Sequence, residues 1–226
     1  MERGLMVEER LRLYRRSVMA FLTLPGIPRA SAQDGRLVPL RWDAPEAAPL
    51  LARIRAGGVT LFFRHADTQG EPCDRSFRVG DRAGQRNIAP RGRAQSREIG
   101  QRLAELGVRV EEPVLAGPVF RARDTAEEMV GAARVRVTDS LLADDYAAGR
   151  LDWVLAEHRR LFFAPVPPGA VRVLVGHRTP AIMVLGDGRV GGRAFPEGGA
   201  LVLEAPGQLH GIIEFAPVEG GGWHGC

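Results

Sequence analysis

Four side chains of related chemistry stand at or near the ends of apolar runs. Arg64 and His65 follow Val59-Thr60-Leu61-Phe62-Phe63, and His177 follows Val173-Leu174-Val175-Gly176. Arg121 lies in Gly117-Pro118-Val119-Phe120-Arg121-Ala122-Arg123-Asp124-Thr125-Ala126. A guanidinium is a planar, permanently charged fork of donors that matches an oxyanion. A neutral imidazole is a competent nucleophile near pH 7. Two arginines and two histidines converging at one place would make a pocket for a doubly charged oxyanion, phosphate above all.

Such convergence needs a sheet. Val59–Phe63 and Val171–Val175 read as buried strands, and strand ends in open α/β sheets deliver their residues to the crevice outside the carboxyl edge. Shorter strands are expected at 113–116, 135–137, 200–203 and 211–215. Helices are expected over 45–56, 92–106, 121–130 and 151–162, and one after Pro180. Their apolar residues recur at helical spacing, as in Ile99, Leu103 and Leu106, and glycine or proline stops them. The alternation predicts a three-layer α/β domain whose mainly parallel central sheet is flanked by helices, with one antiparallel edge from the last two strands. The polar loop 66–91 is long enough to be a functional rim over Arg64 and His65.

The chain has 226 residues and a formal charge of +4, and all 31 of its basic Lys/Arg side chains are arginine. They are spread along the sequence and aromatics are only 6%, which argues against a nucleic-acid surface and suits an anionic small substrate. No apolar run approaches the ~20 residues of a membrane span. Residues 1–32 read as an export signal: Arg15-Arg16 precede a short apolar core, and Ala30-Ser31-Ala32 offers a cleavage site. An amphipathic helix over 7–24 docked on the domain, or a floppy tail, are the other readings. A linker is expected over 33–45, the catalytic domain over 46–216 and a Gly-rich tail over 217–226. The expected location is periplasmic or secreted, otherwise cytoplasmic. Cys73 and Cys226 are the only cysteines; they could pair. No Cys/His cluster has metal-ligand spacing.

Arg64-His65-Ala66, the block from Pro118 to Ala126 and Val175-Gly176-His177 together resemble the three signature blocks of the histidine phosphatase superfamily, the phosphoglycerate mutase-like group. Gln85-Arg86-Asn87-Ile88-Ala89-Pro90-Arg91-Gly92-Arg93 fits the stretch before that family's first long helix. The similarity spans roughly Thr60 to Phe215. The Gln-Arg-Asn block and the expected leader are similar to those of bacterial periplasmic members, including ones linked to lipopolysaccharide heptose phosphates. Two departures stand out: Ala66 replaces the usual Gly, and Gly117 stands where Ser is common, removing a hydroxyl contact.

The resemblance implies a phosphoglycerate mutase-like fold and a phosphatase without metal or cofactor, its arginines neutralising the phosphate. It implies His65 as nucleophile, forming a phosphohistidine, with Arg64, Arg121 and His177 binding the phosphoryl oxygens. Asn87, with Gln85, would help orient the phosphate; Arg86 reads equally as a rim charge. A general acid must protonate the leaving oxygen and later deprotonate water. Asp144 in Leu142-Ala143-Asp144-Asp145 is the first candidate, with Asp145, Glu197 and Asp67 as rivals. The expected partner is a phosphorylated small molecule or glycolipid. A phosphomutase, a protein-phosphohistidine phosphatase and a catalytically silent phospholigand-binding module remain as alternatives.

Overall fold

The computed structural model describes residues 35–221; the leader read at 1–32 and Cys226 lie outside them. The strands, in chain order, are β1 (Leu40–Arg41), β2 (Val59–Arg64), β3 (Arg109–Val110), β4 (Val114–Ala116), β5 (Val135–Val137), β6 (Ala170–Gly176), β7 (Ala200–Glu204) and β8 (Gln208–Glu214). The helices are α1 (Ala48–Ala56), α2 (Pro90–Glu105), α3 (Phe120–Val130), α4 (Leu151–Phe163), α5 (Arg178–Leu185) and the short α6 (Asp187–Val190).

One sheet takes the order β1-β8-β7-β2-β6-β4-β5, with β3 also pairing β6. Only β7 is reversed: it runs antiparallel to both β2 and β8, and the other strand pairings of this sheet are parallel. The antiparallel element is therefore third from one edge and not the edge itself, because β1 adds beyond β8. Residues 40–41, read as linker, form that edge strand, with Leu40 opposite Ile213.

Central strands are apolar along their length because helices cover both faces. All six residues of β2 are buried. Leu61 and Phe63 face one core with Leu50 and Ile54 of α1, Ile99 and Leu103 of α2, and Ala126 and Met129 of α3. Phe62 faces the other, with Phe162 of α4, Ala181 of α5 and Val190 of α6. This is the predicted three-layer α/β arrangement.

Candidate active site

The parallel register of β2 and β6 sets Arg64 opposite Gly176. The next residue on each strand is a histidine, so the pairing alone brings His65 and His177 together, with ring centroids 5.4 Å apart. The backbone N–H of His65 donates to Gly176 O at 3.0 Å, which continues the ladder to the strand ends. Gly176 keeps the approach close: a Cβ there would lie 2.8 Å from the Phe62 ring.

The cleft at this edge has a volume of about 250 Å³. Arg64, His65, Arg86, Arg121, His177 and Arg178 line it, with Asp74, Asp144 and Asp145 on the same wall system. Arg121 arrives from the first turn of α3. The hydroxyl of Thr125 on α3 donates to Arg121 O at 2.7 Å and accepts the N–H of Ala66 at 2.8 Å. That hydroxyl joins the helix to the residue after His65.

His65 is 3% and His177 4% exposed. Burial, then the Arg121 and Arg64 charges, push the His65 pKa well below the free-imidazole value; burial, Arg121 and His158 do the same to His177. Both rings are therefore neutral near pH 7. His65 Nδ1 lies 3.0 Å from Ala66 O. A carbonyl accepts only, so Nδ1 carries the proton and Nε2 holds the lone pair. The Nε2 of His177 and the Nε of Arg121 are buried without a hydrogen-bond partner among the described residues. Unsatisfied buried polar atoms are costly, and a bound oxyanion would satisfy both.

Arg64 is held from behind. Its Nη1 donates to Phe195 O at 3.1 Å and its Nη2 to Glu197 Oε1 at 3.1 Å. Burial lowers its pKa to about 10 against the pull of Glu197, so it stays charged. Glu197 also accepts from the N–H and hydroxyl of Thr68, at 3.0 and 3.1 Å. It sits behind the arginines and does not line the cleft. Asp67 is bound by Arg91 at 2.6 Å and is also absent from the lining. Asp144 and Asp145 do line it. Asp145 is exposed, whereas Asp144 is half-buried, and burial, then Asp145, raises its pKa. A carboxyl that keeps its proton longer is the better acid.

Asn87 is not brought in. Its amide donates to Arg82 O and Gln85 O at 3.0 and 2.8 Å, bracing its own loop. Gln85 accepts the N–H of Phe120 at 3.1 Å and so tethers the start of α3. Arg86, by contrast, is in the cleft wall, buried, and donates to Pro72 O. It could have been suspected from its place between Gln85 and Asn87. Asp74 had no spacing signal. At Gly117 the departure from Ser has a packing cause: a Cβ would run into the carbonyl of Leu141.

Among the described residues, no group of three His, Cys, Asp or Glu side chains is placed to hold a metal ion. No helix among them is long and apolar enough to cross a membrane.

No family model matches the chain, and no curated protein matches it. Solved structures do. The protein histidine phosphatase SixA, complexed with tungstate, is 17% identical, with a TM-score of 0.46, over 70% of this chain and 97% of that one. Phosphoserine phosphatase from Entamoeba histolytica, in complex with 3-phosphoglyceric acid, is 12% identical, with a TM-score of 0.44, over 68% and 95%. Mycobacterial glucosyl-3-phosphoglycerate phosphatase is 19% identical, with a TM-score of 0.35, over 57% and 78%.

Proposed function

We propose that the chain is a phosphoric monoester hydrolase with His65 as its nucleophile. The observation that carries this reading is the tautomer lock: Nδ1–H of His65 is committed to Ala66 O, in a cleft that arginines line. Nε2 of a neutral ring is the atom required to attack phosphorus.

The Nε2 lone pair forms a bond to phosphorus as the P–O ester bond breaks, and Asp144 gives its proton to the leaving oxygen. Arg64, Arg121 and His177 donate to the phosphoryl oxygens, whose charge they stabilise most in the transition state. Water then attacks the phosphohistidine. Asp144 takes its proton, the P–N bond breaks, and inorganic phosphate leaves. Arg86 joins the donor set and Asn87 supports the loop that presents it.

The substrate we favour is a phosphorylated small molecule or the phosphate end of a glycolipid, whose anionic group suits a cleft of about 250 Å³ lined by four arginines. The leader read at 1–32 supports export, and N-terminal sequencing of the mature protein tests it.

The test of the activity is hydrolysis of a generic aryl phosphate by the full chain beside His65→Ala, followed by intact-mass analysis of rapidly quenched enzyme. Turnover lost in the variant, with one phosphoryl group trapped on His65, is expected. Substantial turnover in the variant would sink the mechanism.

A further inference from the structure

Asp74 belongs to the loop between β2 and α2, and only 3% of its side chain is exposed. Its carboxylate is held by α3, by the turn Asp144–Tyr146 and by its own loop. Nη1 of Arg121 reaches its two oxygens at 3.1 and 2.8 Å. The Tyr146 hydroxyl donates at 2.6 Å, and the N–H of Arg86 donates at 2.6 Å. These contacts occupy the roughly four acceptor positions of a carboxylate, so Asp74 has little left to offer a ligand.

A buried carboxylate is costly unless it is paired and hydrogen-bonded, and the partners that offset the cost here belong to the cleft itself. Arg121 is engaged through Nη1, while its Nε has no partner among the described residues. Tyr146 closes the single turn Asp144–Tyr146, which opens with the candidate acid. Arg86 lines the cleft.

We propose that Asp74 is a positioning residue: it fixes the fork of Arg121 toward the bound phosphoryl group and, through Tyr146, ties the turn bearing Asp144 to the same cradle. The inference rests on the phosphatase reading above. Burial works to raise the Asp74 pKa, but the Tyr146 bond and the Arg121 charge prevail and hold it below the ordinary value. The group is thus an anion whenever the enzyme works.

Two conservative variants of the full chain, Asp74→Asn and Tyr146→Phe, test it with two readouts. One is the Kd of orthovanadate by calorimetry. The other is the ratio of kcat/KM for an aryl phosphate to that for an alkyl phosphate, whose poorer leaving group depends more on the acid. Losing a charge-assisted hydrogen bond should weaken vanadate binding about tenfold in Asp74→Asn. Tyr146→Phe should change vanadate binding by no more than about twofold while widening the aryl-to-alkyl ratio about tenfold. Tighter vanadate binding in Asp74→Asn would mark the carboxylate as a competing anion and overturn the proposal. An unmoved ratio in Tyr146→Phe would remove the link to Asp144. If Asp74→Asn does not fold, Asp74→Glu keeps the charge on a longer arm, and the same weakening is expected. A wild-type chain that binds vanadate but turns over no phosphomonoester ends the phosphatase reading alone; the vanadate arm then decides the role of Asp74.

Discussion

Arg64 Nη2 and Glu197 Oε1 meet at 3.1 Å, with 4% and 0% of their side chains exposed. The pair joins the end of β2 to the turn before β7, a sequence separation of 133 residues. Glu197 does not line the cleft, so it holds Arg64 from behind the wall that Arg64 forms.

Removing one partner of such a pair strands a buried charge. Glu197→Ala should cost about 3–5 kcal/mol of stability, read as a lower urea midpoint. Glu197→Gln should cost less and keep part of the phosphate affinity, because its amide oxygen still accepts from Arg64. A midpoint unchanged in Glu197→Ala would show that the pair is not holding the fold.

Asp144→Asn should lower kcat for an alkyl phosphate by roughly 10²-fold or more, and for an activated aryl phosphate far less. The comparison of the two substrates in steady-state assays checks it. Equal losses on both would assign the acid elsewhere, with Asp145 next in line.

Much of this was legible in the sequence because strand ends are simple to read. Phe62 and Phe63 announce a strand, and the parallel register then does the work of uniting His65 with His177. The loop was not legible. Arg86 was as good a rim charge as a cleft residue, because nothing in a polar loop tells which side chains turn inward. Asp74 was invisible for the same reason: its meaning comes from Arg121 and Tyr146, 47 and 72 residues away. β1 and β3, two residues each, are too short to leave a periodic signature. The reversed β7 reads like any other strand, since direction is not written in composition.

Gly117→Ser would restore the hydroxyl that the family resemblance leads one to expect. Here it should destabilise by about 1–3 kcal/mol, because the new Cβ meets the backbone carbonyl of Leu141 rather than a movable side chain. Thermal melts and vanadate binding, measured together, would separate lost packing from any gained contact. A stable variant with tighter binding would contradict this account.

Stability should fall in mild acid. His65, His177 and His158 all have pKa values held below the free value, with burial the first cause in each. Below the unfolded value of about 6.5 the unfolded chain takes up protons that the folded chain refuses. The stability these neutral rings contribute is whole above that pH and shrinks beneath it. Asp144, its pKa raised, acts in the opposite sense over a window that opens near the ordinary carboxyl value of about 3.9. The urea midpoint should therefore drop between about pH 7.5 and 5.5. His158→Phe should lessen the drop, since that ring already packs against Phe62 and Phe162. A flat midpoint in the wild type would refute the argument.

The tautomer of His65 is set by the carbonyl of Ala66, its immediate neighbour in the chain. The setting is therefore local and inherited with the strand end itself. Loops above the cleft can be lengthened, shortened or exchanged without changing which ring nitrogen of His65 carries the proton. On the proposed reaction, such changes would reshape the surroundings of the phosphate and leave the nucleophile as it is, provided Asp74 and Arg86 keep their places.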